Sequence, residues 1–89
     1  MAQVVESGTP ILLTSSGSVS LTSGTLLGFY VNSTSSGTIV VRDGGSGGTA
    51  ISGTITPAIG FHRFPAYCRT GCYLTLANTI SVTAFFAAG

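Results

Sequence analysis

Runs of alternating apolar and polar residues recur along this chain, and turn-forming residues separate them. The segments 18–21 and 49–56 alternate residue by residue, and in the segment 25–33 Leu27, Phe29 and Val31 share one face. Alternation with a period of two is typical of half-buried β-strands. The pattern therefore predicts eight short strands, at residues 11–14, 18–21, 25–33, 38–43, 49–56, 60–64, 73–76 and 80–86.

Turn signals set the ends of these predicted strands. Thr34-Ser35-Ser36-Gly37 predicts a turn after the third strand, and Ala77 with Asn78 predicts a hairpin turn that pairs 73–76 with 80–86. Residues 44–48, Gly-Gly-Ser-Gly-Gly, predict a hairpin loop. A phosphate-binding loop would instead be followed by Lys-Ser or Lys-Thr and a helix, which this chain lacks at that point.

The fold class follows from the spacing of the strands and from the scarcity of helix formers. Lysine is absent, and Glu6 and Gln3 are the only residues of their types. We therefore expect an all-β protein, a compact antiparallel β-sandwich or jelly-roll-like domain of about eight short strands. Residues 1–10 lack alternation and end at Pro10, so they predict an extended N-terminal arm, and residues 11–89 predict a single domain.

Charge changes this picture, because only 6 % of the residues are charged and the net charge is +1. An ordinary soluble domain is about 25 % charged. A surface with so little charge predicts that neighbouring molecules cover part of it, since interface cores are depleted in charge. Three arginines are too few for phosphate-driven binding, so we expect no direct nucleic-acid contact.

The apolar segments do not predict a membrane protein. No stretch approaches the ~20 apolar residues that a spanning helix needs. The first six residues lack the basic and apolar regions of a signal peptide. We therefore expect synthesis and folding in a cytosol.

Catalytic or metal chemistry has little material in this sequence. Cys68 and Cys72 enclose three residues, which favours two free thiols; a hairpin disulfide, or a metal site that also uses His62, stay open as alternatives. His62, Asp43 and a cysteine could form a nucleophilic triad only if the fold brought them together. With two acidic residues in the chain we expect no enzyme, no cofactor and no metal.

Four segments of the chain resemble small structural proteins of tailed-bacteriophage virions. They are Leu27-Gly28-Phe29-Tyr30-Val31, Gly37-Thr38-Ile39-Val40-Val41-Arg42-Asp43-Gly44, Ile55-Thr56-Pro57-Ala58-Ile59-Gly60-Phe61-His62-Arg63-Phe64-Pro65 and Gly71-Cys72-Tyr73-Leu74-Thr75-Leu76. The resemblance covers roughly residues 17–86 and includes small β-sandwich proteins that decorate or cement capsids. It implies a virion protein on the capsid surface, made in the host bacterial cytoplasm.

From this resemblance we expect a homotrimer that binds the major capsid protein and stabilises the head. The alternative is a head-fibre, collar or tail component that contacts host glycans through Tyr30, Tyr67 or Tyr73. The candidate interface residues are apolar or aromatic and lie in the arm, the third strand and the segment 61–67: Val4, Val5, Pro10, Tyr30, Phe61, His62, Phe64 and Tyr67.

Overall fold

The computed structural model describes residues 9–88, which form one antiparallel sheet of six strands without a helix. The prediction of an all-β antiparallel protein is confirmed. The strands are β1 (Thr9–Leu13), β2 (Gly17–Ser20), β3 (Gly24–Asp43), β4 (Thr49–Ala50), β5 (Gly60–Cys68) and β6 (Cys72–Ala88). Within these residues no helix is long and apolar enough to cross a membrane.

Two long strands replace four of the predicted short ones. β3 contains the predicted strands 25–33 and 38–43, and β6 contains 73–76 and 80–86. β3 and β6 pair along their whole length, from Gly24 opposite Ala88 to Asp43 opposite Cys72. The predicted hairpin at Asn78 is therefore wrong, because the two segments on either side of it pair with β3 and not with each other.

The predicted turn residues instead form a local irregularity inside the β3–β6 ribbon. Ser36 and Asn78 have positive φ angles of 55° and 61°, and the register shifts between Ser35 and Thr38. The Asn78 side-chain amide donates a hydrogen bond to the Ser36 carbonyl, at 2.7 Å. This contact joins Ser36 and Asn78 across the ribbon. The two residues thus have the positive φ angles and the side-chain hydrogen bond typical of turns, but the chain does not reverse direction.

The β3–β6 ribbon is bent. A strand of 20 residues would extend roughly 66 Å if straight, but the longest dimension of the molecule is 43 Å. Register shifts of this kind bend strands and increase their twist. We call residues 34–37 and 77–79 the bend, since it divides the ribbon into two halves.

Different short strands flank the two halves of the ribbon. In the aromatic half, β1 and β5 flank residues 80–88 of β6 and 24–33 of β3. In the loop half, β2 and β4 flank residues 72–76 of β6 and 38–43 of β3. Residues 44–48 connect β3 to β4 as a hairpin loop, as predicted.

The predicted strand 49–56 is mostly not a strand. Only Thr49 and Ala50 form β4, and a single bridge joins Ile55 to Ile39. Between them the Ser52 hydroxyl accepts the hydrogen bond of the Val41 amide at 2.9 Å. A side-chain hydroxyl thus takes the place of a ladder carbonyl, and the regular pairing stops there.

The buried side chains of both halves belong to one hydrophobic cluster, which is the core. In β3 a bulge between Leu26 and Gly28 changes which side chains face it. Leu26 is fully buried together with Phe29, whereas Leu27 is only partly buried. The expectation that Leu27 shares one face with Phe29 is therefore corrected, because the bulge adds one residue to the alternation.

The first strand begins earlier than expected. Thr9 and Pro10, which the sequence places in the arm, pair with Phe86 and Phe85 as the start of β1. The rest of the predicted arm, residues 1–8, lies outside the described residues.

Candidate interaction surface

The outward side of the aromatic half carries large apolar side chains in neighbouring positions. The strand register places Leu12 and Tyr30 on either side of Thr83, and Phe61 beside Tyr30. Leu12 is 64 % exposed, Phe61 54 % and Tyr30 44 %. Side chains directly opposite on one face of a sheet lie about 4.5–5.5 Å apart. These residues therefore form one continuous row across four strands.

A second row lies beside the first and contains Pro10, Phe85, Gly28 and Arg63. A Cβ atom at Gly28 would lie 2.5 Å from the His62 carbonyl oxygen and 2.9 Å from the Phe61 ring. The absence of a side chain at Gly28 leaves room for that ring, and the Phe61 and Phe85 centroids are 6.1 Å apart. The glycine thus allows the two aromatic residues to meet over β3.

Tyr67 extends this surface toward the end of β5. It pairs with Thr25 and is 58 % exposed. In the described strands of the aromatic half, Arg63 is the single residue with a formal charge. We define the aromatic face as the outward side chains of Pro10, Leu12, Tyr30, Phe61, Tyr67 and Phe85.

Two of the predicted interface residues point the other way. His62 and Phe64 are partly buried, and their rings lie 5.6 Å and 6.4 Å from the Phe29 ring. A ring nitrogen of His62, Nε2, also lies 2.7 Å from the Ala58 carbonyl oxygen, at hydrogen-bonding distance. Phe64 packs against the core. Strand alternation therefore places these two residues on the side of β5 opposite the aromatic face.

The remaining sequence-predicted residues divide between the face and the undescribed segment. Pro10, Tyr30, Phe61 and Tyr67 lie together on the aromatic face. Val4 and Val5 lie outside the described residues. Tyr73, named for glycan contact, is half-buried in the loop half and does not lie on this face.

The structure does not bring His62 and a cysteine together as a triad. His62 and Cys68 are six residues apart on the same strand, which is roughly 20 Å at the usual rise of a strand. The Asp43 carboxylate accepts hydrogen bonds from the backbone amides of Arg69 and Thr70, at 2.9 and 3.0 Å, and from the Thr70 hydroxyl at 3.0 Å. Asp43 therefore fixes the turn between β5 and β6.

The electrostatics of Asp43 agree with this structural role. The backbone hydrogen bonds from Arg69 and then Thr70 lower the pKa of the Asp43 carboxyl below its ordinary value of 3.8. Hydrogen bonds donated to a carboxylate favour its charged form. Asp43 is thus a stable anion that holds a turn.

Cys68 and Cys72 are both free and fully buried thiols. Burial is the first cause that raises the pKa of each thiol, and the two side chains also hydrogen-bond to each other. The thiolate is the reactive form of cysteine, and a raised pKa makes it scarce. Among the described residues, no group of three His, Cys, Asp or Glu side chains could hold a metal ion.

Sequence reasoning missed Leu12 and Phe85 as members of the aromatic face. The signal was present in part, because alternation in 80–86 places Phe85 opposite in direction to Phe86. What the pattern lacks is the pairing of β1 with β6, and this pairing brings Leu12 and Phe85 to the same surface.

Comparisons with known proteins give no further evidence about this surface. No protein-family model, curated protein or solved structure matches the chain. The aromatic face and the composition of the chain therefore provide the evidence about function.

Proposed function

We propose that this protein is a virion structural protein of a tailed bacteriophage, which self-associates and binds major capsid subunits to stabilise the head. The observation that carries the proposal is the aromatic face of a chain that is only 6 % charged. Binding, and not catalysis, is the activity that such a surface supports.

The exposed area of the face supports a binding role. Leu12, Tyr30, Phe61 and Tyr67 are each between 44 % and 64 % exposed. A large side chain that buries about 200 Å² when covered would leave about half of that area open here, or roughly 400–500 Å² for the four residues together. Apolar patches of this size on soluble proteins are often functional.

The phage resemblance adds a context that the surface alone lacks. Its longest motif, 55–65, runs into β5 and includes Gly60, whose φ of 128° favours glycine. This turn leads directly to Phe61 on the aromatic face. The motif thus includes residues that form the aromatic face. This supports a binding role like that of the phage proteins that the chain resembles.

We further propose that the two halves of the bent sheet act as the two layers of a sandwich around the core. The single cluster of buried side chains drawn from both halves supports this arrangement. A rigid small domain of this kind could occupy many equivalent sites on a capsid. Modest affinity at each site would then restrain the shell through the number of contacts.

The test is binding of the purified protein to phage heads that lack it, followed by imaging of the particles. The proposal predicts regular density on the head shell and heads that survive a higher temperature than bare heads. A small β-domain of unrelated sequence, added at the same concentration, is the control. The absence of binding to any head would contradict the proposal.

The exposed tyrosines favour one alternative, a fibre, collar or tail component that contacts host glycans. Tyr67 is 58 % exposed and Tyr30 44 %, and open aromatic rings can stack on other flat groups. Density only at a vertex or along the tail would favour this alternative. In that case Tyr67→Ala should reduce adsorption to host cells while particle assembly is unchanged.

A further inference from the structure

We infer that the aromatic face is the surface through which two copies of this chain meet, face to face and related by a two-fold axis. The inference rests on the self-association in the proposed function and names the surface that performs it. Four observations carry it: the area of the face, its charge, the chemistry of the adjacent sheet edges, and the size of the domain.

The area of the face is close to what a small dimer needs. Roughly 400–500 Å² on each copy gives about 800–1,000 Å² in total, which reaches the lower limit for a specific protein–protein interface at its upper end. The exposed ring of Tyr30 and the partly buried Phe85 lie on β3 and β6, the two central strands of this half, and would lie near the centre of that contact. Buried aromatic residues at the centre are the side chains that contribute most to binding.

The charge of the face fits a second copy better than a charged partner. Arg63 is the one formal charge on the described strands of the aromatic half, and it lies on the outermost strand, β5. In a two-fold contact, residue i of one copy contacts residue j of the other, and residue j of the first contacts residue i of the second. If the two-fold axis runs parallel to the strands, β5 of one copy lies over β1 of the other. The two Arg63 side chains then lie on opposite sides of the contact.

The edges of this half of the sheet disfavour the other common way in which β-proteins associate. β1 and β5 are its outer strands, and each contains a proline, Pro10 and Pro65. Proline has no amide hydrogen to donate to an added strand, and natural sheets use it to block edge-to-edge pairing. In the aromatic half, association through the face is therefore favoured over association through the edges.

The size of the domain gives a reason for association. A chain of 89 residues buries only about 60–65 % of its unfolded surface, and small domains gain stability from oligomerisation. Covering Leu12, Tyr30 and Phe61 with a second copy would remove their apolar surface from water. The expected species is a dimer, in place of the trimer that the phage resemblance implies.

Sedimentation of the purified protein over a range of concentrations tests the inference. The wild-type chain should reach twice its mass of 8.9 kDa. Leu12→Thr and Phe61→Thr should each weaken the dimer by at least about tenfold, since both remove an apolar anchor from the contact. Circular dichroism of each variant verifies that the monomer is still folded.

The matched control is Leu21→Thr, which removes the same side chain from an 82 % exposed position in the turn between β2 and β3. It should leave the dimer unchanged. A chain that stays monomeric up to about 1 mM, a trimer, or a dimer insensitive to both face substitutions would overturn the inference.

Binding to phage heads separates the two proposals. If Phe61→Thr abolishes head binding but leaves self-association intact, the face binds the capsid and the inference is overturned while the virion role stands. If the dimer behaves as expected and no head binds the protein, the virion role fails and the dimer contact stands.

Discussion

The two halves of the β3–β6 ribbon present outward faces of different chemistry. In the loop half, Arg42 is partly buried, and its guanidinium donates hydrogen bonds to the Thr75 hydroxyl at 3.0 Å and to the Gly48 carbonyl at 3.1 Å. In the aromatic half, the corresponding surface exposes Leu12, Tyr30 and Phe61. One face is completed by contacts within the chain, and the other leaves apolar area open to water.

This difference teaches that backbone pairing alone does not decide what a sheet face does. The same two strands supply the centre of both halves. Outward residues that hydrogen-bond to each other form a surface that is stable in water. Outward aromatic residues form a surface whose burial lowers the free energy of the system. The predictions below test this contrast, beginning with the largest expected effect.

The core of the aromatic half should be far more sensitive to truncation than its outward face. Phe29 is 1 % exposed, so Phe29→Ala should lower the free energy of unfolding by about 3–5 kcal/mol. Phe61→Ala, at a ring that is 54 % exposed, is the control. Urea denaturation at protein concentrations too low for self-association measures both. Equal losses would mean that Phe61 is a core residue and not part of an interaction surface.

The bend should tolerate no added side chain at Gly37. A Cβ atom there would lie 2.5 Å from the Ile80 Cβ and 2.9 Å from the Thr79 carbonyl oxygen. Gly37→Ala should therefore lower stability by about 1–3 kcal/mol through overpacking. Gly53→Ala is the matched control, because a Cβ atom at that position would have no atom beyond its chain neighbours within 4 Å; it should change stability by less than about 0.5 kcal/mol. A neutral Gly37→Ala would argue against tight packing at the bend.

Acid should weaken the turn that Asp43 fixes beside the loop half. Because the folded state holds the pKa of Asp43 below 3.8, its contribution to stability is complete above that pH and is lost as the pH falls through the lower folded value. Asp43→Asn should reduce stability at neutral pH and flatten its dependence on acid pH. Thermal melts between neutral and acid pH measure both effects.

The control for Asp43 is Glu6→Gln, which removes the other acidic side chain of the chain. If Glu6→Gln flattens the acid dependence more than Asp43→Asn does, the hydrogen bonds to Arg69 and Thr70 do not produce the effect. That result would contradict the role assigned to Asp43 in holding the turn beside the loop half.

Much of the strand content could be predicted from the sequence, because alternation is a local property. The pattern at 25–33 and 80–86 places strands correctly, and the glycines at 44–48 form the predicted hairpin loop. It also identifies Tyr30, Phe61 and Tyr67, which are exposed on one face. Each of these results depends on neighbours within a few residues of each other.

The errors have a common physical cause. Asn78 and Ser36 carry the positive φ angles of turn residues, but a positive φ also fits a bulge in a continuous strand. The sequence near Asn78 does not show that β3 pairs on both sides of it. Likewise, the alternation in β5 does not reveal whether its odd-numbered or its even-numbered residues face the core. The candidate interface residues predicted from the sequence therefore include His62 and Phe64 as well as Phe61.

The sequence by itself determined the all-β class, the low charge and the presence of aromatic residues in strands of alternating apolar and polar residues. Composition and periodicity are local properties of the chain, so they can be read without the fold. Only the tertiary structure decided that four segments join into two long strands and that Leu12, Tyr30, Phe61 and Phe85 share a surface. Register between distant strands makes that choice. A shift by one residue would turn every side chain to the opposite face.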